Sequence, residues 1–141
     1  MFVLDTNVVS ELRKVAAGKA APGVTAWSEN TPPGAMFVSA ITVLELELGV
    51  LAVERRDPAS GAVLRAWLET RVLPVFDARV LSVDAAVARR CAALHVPDPR
   101  SERDALIAAT ALVHGMTVVT RNVRDFEPMG VQVVNPWDAA R

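Results

Sequence analysis

The chain opens with Met1-Phe2-Val3-Leu4-Asp5-Thr6-Asn7-Val8-Val9-Ser10-Glu11-Leu12, MFVLDTNVVSEL. A short apolar run ends in a carboxylate, and a helical pattern begins two residues later. The run is continuous rather than alternating, as in a strand buried on both faces. Asp5 has a plain local use, because Asp is a preferred helix cap and its charge suits the positive end of the helix dipole. Capping explains one such junction. Function depends on whether other carboxylates arrive at equivalent junctions, since ligands of an open parallel sheet bind beyond the carboxyl ends of its strands.

The rest of the chain supplies those junctions. MFVLD reads as a strand and NVVSELRKVAA as a helix ending near Gly18, followed by a short helical piece around Trp27 and a break at TPPG. AMFVSA, Ala35 to Ala40, is a second strand. In TVLELELGVLAVERR, Leu44, Leu46 and Leu48 alternate with Glu45 and Glu47 as in a strand. The length of the stretch and the pattern Val43, Leu44, Leu48, Leu51 favour a helix, ended by DPASG. GAVLRAWLETRVL is a further helix, with an extended piece expected after Pro74 and then the helix DAAVARRCAAL. VPDPRSE is a loop, and RDALIAATALVHG is a helix closed by Gly115. MTVVT is a strand, RNVRDFEPMG a loop or single turn, and VQVVN the last strand. Short apolar strands alternating with helices predict one domain over residues 1–141, an α/β sandwich around a mostly parallel sheet.

Composition narrows the classes. Of 141 residues, 52% are apolar, which is ample for a core and leaves apolar surface for a second copy or a partner. The one cysteine, Cys91, excludes an intramolecular disulfide and reads as a buried thiol. The N-terminal apolar run is too short for a signal peptide, and no run of about 18 apolar residues is present to span a membrane, so a cytoplasmic protein is expected. A net charge of −1 argues against coating nucleic acid by bulk electrostatics. The cations are 13 Arg and 2 Lys, and placed arginines remain good phosphate ligands.

Four acids meet the junction rule. Asp5 follows the first strand, Glu45 lies one turn into the helix after the second, and Asp104 begins the Ala-rich helix before MTVVT. Asp125 sits just beyond that strand, with Asn122 between. At about 100° per residue, Glu45 shares a helix side with Gly49 and Ala52, whereas Glu47 falls with Glu54. Asp104, Ala108 and Ala111 repeat the arrangement. Each acid heads a stripe of small residues that would let its helix pack closely. Singly each has a bland reading: a capping box at Ser101 and Asp104, a solvated Glu45, a turn residue at Asp125. Together they describe a site.

Clustered carboxylates repel one another, and the usual outcomes are raised pKa values or a bound cation. Oxygen ligands predict Mg2+ or Mn2+, and the natural chemistry is phosphodiester hydrolysis, with Asp5 and Asp104 as metal ligands. Zinc is disfavoured because His95 and His114 have no His or Cys at ligand spacing. Thr6, Asn7, Ser39, Thr120 and Asn122 stand beside the acids and can orient carboxylates and waters. Arg13, Arg121 and Arg124 fall near the expected mouth, where they can meet the phosphates of a substrate.

The stretches VLDTNVVSEL, VSAITVLELELG, RDALIAATALVHG, TVVTRNVRDF and VVNPW resemble, in order and over nearly the whole chain, those of PIN-domain ribonucleases. They are most similar to VapC-type toxins of toxin-antitoxin modules, including the FitB-like branch. The resemblance implies a PIN-like α/β/α sandwich, a Mg2+- or Mn2+-dependent endoribonuclease, a homodimer, and a cognate antitoxin whose arm occupies the acidic site. It matches Asp5, Glu45, Asp104 and Asp125 to the family's acids, taking Glu45 over Glu47 because a glycine follows four positions on. Where many members carry an acid, this chain has Asn122, which weakens a second metal position.

Other folds fit less well. A haloacid-dehalogenase-type phosphatase needs an Asp two positions after the first, where Asn7 stands, and a phospho-receiver needs a late Lys, whereas both lysines precede residue 20. A non-catalytic PIN-like protein-binding module is the alternative from another class, and retention of all four acids argues against it.

Overall fold

In a computed structural model that describes residues 1–138, the opening stretch forms strand β1 (Phe2–Leu4) and helix α1 (Thr6–Leu12) with Asp5 between them. Helix α2 (Pro22–Glu29) starts with its proline in the first turn, where a missing N–H costs nothing. Strand β2 (Met36–Ser39) leads into α3 (Ala40–Arg56). The stretch that alternates in sequence is helical, and its buried residues Thr42, Leu46 and Val50 recur every four positions. Helix α1 is shorter than its sequence pattern suggests, with turns rather than helix running on to Gly18.

Two predicted breaks prove weaker than expected. Only Asp57 separates α3 from α4 (Pro58–Trp67), because Asp57 caps the new helix and Pro58 occupies its first turn. Nor does Pro74 open an extended piece at once. A wide turn over Leu68–Val72, closed by Leu73 N–H donating to the Leu68 carbonyl, carries the chain into α5 (Leu73–Phe76). The wide turn makes room for a ring that would otherwise strike the carbonyl four residues back. The extended piece comes later, as the two-residue strand β3 (Val80–Leu81).

Helices α6 (Ala85–Leu94) and α7 (Glu102–His114) follow, and α7 is ended by Gly115 at φ 66°, a left-handed conformation that suits glycine. Strand β4 (Thr117–Val119), the single turn α8 (Val123–Phe126) and strand β5 (Val133–Val134) complete the set. The sheet has the order β3-β2-β1-β4-β5, and all four strand pairings among the described residues are parallel. Neighbouring residues of a strand serve opposite layers: Val3 and Val118 join Ile107, Val87, Cys91 and Phe126 on one side, while Leu4 and Val119 join Val8, Leu46, Leu68 and Phe76 on the other. The result is an α/β/α sandwich in which β1 and β4 are central and buried. No helix of the described residues is long and apolar enough to cross a membrane.

Candidate active site

The carboxyl ends of β1, β2 and β4 open onto one edge, and the acids gather there. Asp5 is the fixed point. Its backbone N–H donates to the Val119 carbonyl at 2.9 Å, tying the end of β1 to β4. Its side chain is 5% exposed, with Oδ1 accepting from Thr6 N–H at 2.8 Å and Oδ2 from the Thr120 hydroxyl at 2.8 Å. Asn7 Nδ2 adds a donor at 3.3 Å to Asp5 Oδ2, and Asn7 Oδ1 accepts from Arg121 N–H at 3.4 Å. Asp5 therefore caps α1 and belongs to the acidic group at once.

Thr6 connects Asp5 to the next acid: its hydroxyl donates to Glu45 Oε1 at 2.7 Å and lies 3.3 Å from the Thr42 hydroxyl. Glu47 is elsewhere, gripped at both oxygens by Arg65 at 2.9 and 2.6 Å; Arg65 also holds Glu54. The two glutamates separated by helix face in the sequence thus have separate partners. Arg103, directly before Asp104, stands 3.7 Å from Glu45 and brings the start of α7 to the same place.

The electrostatics register the crowding. Burial pushes the Asp5 carboxyl above its ordinary value, the donors Thr120 and Thr6 pull it back, and the charges of Glu45 and Asp125 push it further up. Burial raises Asp104 to about 6, with the charges of Asp5, Asp125 and Glu45 adding to the shift. Asp104 feels the charges of the other three acids and Asp5 those of Glu45 and Asp125, and Arg103 is the one cation in an ion pair with any of the four among the described residues.

The supporting residues divide. Thr6, Asn7 and Thr120 touch the acids directly. Ser39 instead caps α3, accepting from Ile41 N–H at 3.0 Å, and so acts on Glu45 only through the helix that carries it. Asn122 donates its backbone N–H to Thr120 Oγ1 at 3.0 Å, and its exposed side chain makes no hydrogen bond among the described residues. Of the two small-residue stripes, Ala108 and Ala111 are buried, whereas Gly49 and Ala52 are exposed and nothing lies within 4 Å of where a Gly49 Cβ would be. The α3 stripe therefore does not pack a helix; Gly49 lines a groove of about 290 Å³ with Glu45, Arg13 and Trp67.

The three arginines flank the acids. Arg13 lies over the Trp67 ring at 6.0 Å, and Arg121 over the Trp137 ring at 5.2 Å. Arg121 and Arg124 line a second depression, which includes Asp125. Sequence reasoning missed Arg103 and both indoles. Trp137 is one of only 3 tryptophans in a chain without tyrosine and so carried a signal, whereas nothing in the sequence says which acid Arg103 meets.

Comparison with known proteins decides the family. The model of the PIN domain matches residues 2–130. The chain belongs to the PIN-domain family. This PIN domain is similar to VapC ribonuclease Y4jK of Sinorhizobium fredii, with 39% identity over 99% of this chain and 100% of that protein. It is also similar to toxin FitB of Neisseria gonorrhoeae, at 37% identity covering 97% of this chain and 99% of the relative. The crystal structure of FitAcB from the same organism superimposes with a TM-score of 0.87 at 36% identity, covering 98% of this chain and 99% of that chain. The parallel five-stranded sheet flanked by helices is thus the PIN architecture.

The donor set bears on a metal ion. Carboxylate oxygens suit a hard divalent cation, and their unneutralised charge favours one. Among the described residues no three His, Cys, Asp or Glu side chains stand together as a ready-made cage. Mg2+ commonly makes do with one or two carboxylates, taking waters and substrate phosphates for the rest, so Asp5 and Asp104 fit it.

Proposed function

We propose that the protein is a Mg2+- or Mn2+-dependent endoribonuclease, the toxin of a toxin-antitoxin pair, folded as one PIN domain over residues 1–141. The observation that carries the reading is the meeting of Asp5, Glu45, Asp104 and Asp125 at one sheet edge with a single paired arginine among them. The names of the relatives, a VapC ribonuclease and a FitB toxin, give the substrate class and the biological setting. Asp5 and Asp104 hold the ion. Bound there, a divalent cation supplies Lewis acidity that polarises the phosphoryl group and makes water nucleophilic near neutral pH.

The remaining work falls to side chains. Thr120, Asn7 and Thr6 fix both oxygens of Asp5, so the carboxylate does not turn as substrate arrives. Glu45, held by Thr6, orients the attacking water and accepts its proton, and Asp125 completes the acidic group from α8. Arg13, Arg121 and Arg124 contact the RNA strand on either side of the acids, Arg13 and Arg124 at its phosphates. A cognate antitoxin silences the site by covering it. A second copy of the chain covers Leu44, Leu48 and Leu51, which line one face of α3 at 45%, 42% and 51% exposure.

The test is RNA cleavage by antitoxin-free protein in Mn2+. EDTA and Asp5→Asn should each abolish it while circular dichroism and Tm stay native-like. Cleavage that survives both overturns the metal mechanism. No cleavage of any RNA, with no ion bound by calorimetry, assigns the fold to protein binding instead.

A further inference from the structure

Two depressions flank the acids, and they differ in chemistry. The one at Thr6 and Glu45 is walled by Leu46, Val50, Leu64 and Trp67. The other, about 550 Å³ between the ends of β4 and β5, is lined mostly by residues with polar or charged side chains, with two acids, Asp125 and Asp138, in its wall. Any substrate whose phosphate lies on the acids places an adjoining unit in this second depression. Resting on the ribonuclease reading, we propose that it seats one unpaired nucleotide of single-stranded RNA beside the scissile phosphate, with the base stacked on Arg121 and read by Asn122 and Asn135.

Arg121 is exposed on the pocket side and braced by the Trp137 ring at 5.2 Å, so its guanidinium forms a flat shelf rather than a free-swinging charge. Unpaired bases stack on guanidinium planes as they do on aromatic rings. The shelf is placed from both ends. The backbone N–H of Arg121 donates to Asn7 Oδ1, and Asn7 Nδ2 donates to Asp5, so the register between the Arg121 backbone and the acids is set by two hydrogen bonds, at 3.4 and 3.3 Å. The backbone at Trp137 is held because its main-chain N–H donates to Asn135 Oδ1 at 3.0 Å. The turn around it also lies so close to α2 that a Cβ on Gly23 would come within 2.4 Å of the Pro136 carbonyl.

The two asparagines can read the base edge. Asn135 Oδ1 is engaged by Trp137, which leaves the Asn135 NH2 as a donor for a carbonyl oxygen or ring nitrogen. The Asn122 amide, without a hydrogen bond of its own, offers both a donor and an acceptor. Arg124 lines the same pocket and suits the phosphate of this nucleotide. A duplex cannot present a splayed base, so the pocket selects single strands.

The test is cleavage of a randomised single-stranded RNA pool in Mn2+, with product ends sequenced. Wild type should show a base preference at one position flanking the cut. Asn135→Asp, which replaces the donor by an acceptor, should move that preference toward bases with an exocyclic amine; Asn122→Ala should flatten it by about tenfold. Trp137→Phe keeps a ring under Arg121 and should retain the preference even if Trp137→Leu fails to fold. Arg90→Ala, on α6 and outside the pocket, is the control and should leave the preference unchanged. Cleavage with the preference intact in both asparagine variants overturns the pocket assignment and leaves the ribonuclease standing. So does intact preference with loss of antitoxin inhibition, which gives the pocket to a protein. Absence of any cleavage by wild type overturns both.

Discussion

At the scale of single residues, Asp104 carries an energetic cost that makes the site visible in the unloaded protein. Its carboxyl stands at about 6 in the fold against an ordinary 3.8. The native state therefore binds more protons than the unfolded chain between those values, and its stability falls as pH rises through that window. Asp5, raised in the same direction, adds to the trend. In EDTA the Tm should drop between pH 5 and pH 7.5. Asp104→Asn should remove part of that slope and stabilise the protein at pH 7.5 by on the order of 1 to 2 kcal/mol, allowing for solvent screening, while abolishing cleavage. A pH-independent difference between wild type and variant would contradict this account. Thr120 works the other way, because its hydroxyl favours ionised Asp5. Thr120→Val should shift the acid limb of the cleavage–pH profile upward, and Thr120→Ser should restore it. That Asp5 and Glu45 face one edge could be expected from strand ends and helix faces, whereas the link between them through the Thr6 hydroxyl could not. Arg103 was not, because a cation next to an acid in sequence says nothing about which distant acid it meets.

At the scale of elements, the α3–α4 hairpin shows why glycine is not one signal. Gly61 of α4 rests on α3 so closely that a Cβ would lie 2.4 Å from Glu54 Cα and 2.8 Å from its backbone nitrogen, a clash that moving the Glu54 side chain does not relieve. Gly61→Ala should destabilise by about 1 to 3 kcal/mol in urea denaturation, as overpacking does, despite the better helix propensity of alanine. Gly49, in α3, has open space at its Cβ, and Gly49→Ala should stabilise by up to about 1 kcal/mol. A sequence reading assigned Gly49 to close helix packing and treated Gly61 as the end of a break, and both assignments came from the same cause: period identifies a face but not what the face meets. The long helices were readable because their apolar periods run over many residues, and the central strands because each is an unbroken apolar run bounded by turn or helix signals. Strand β3 was readable only as an extended piece somewhere after Pro74, since two residues carry no period, and the helix through Pro74 depends on a wide turn that only tertiary packing of Leu68, Val72 and Phe76 selects.

At the scale of the whole molecule, the parallel sheet is what converts distant acids into one site, because every strand delivers its following residue to the same edge. The same construction leaves α3 with three duties. Its inner face packs Leu46 and Val50, its end toward the strands carries Glu45, and its outer face presents Leu44, Leu48 and Leu51. These three recur at helical spacing, and a stripe of exposed leucines on a rigid helix is a poor solution for a monomer. A second copy related by a two-fold axis would pack α3 against α3 and set the two acidic sites side by side. Sedimentation equilibrium of wild type should therefore give a dimer at micromolar concentration. Leu48→Lys together with Leu51→Glu places charge in the middle of that seam without touching the inner face, so the variant should sediment as a folded monomer with a Tm that no longer rises with concentration. Because the acids of each copy come from one chain, the monomer should keep cleavage in Mn2+. A variant that remains dimeric moves the interface off α3, and one that is monomeric but cannot cleave shows that the acidic site needs the second copy for its shape.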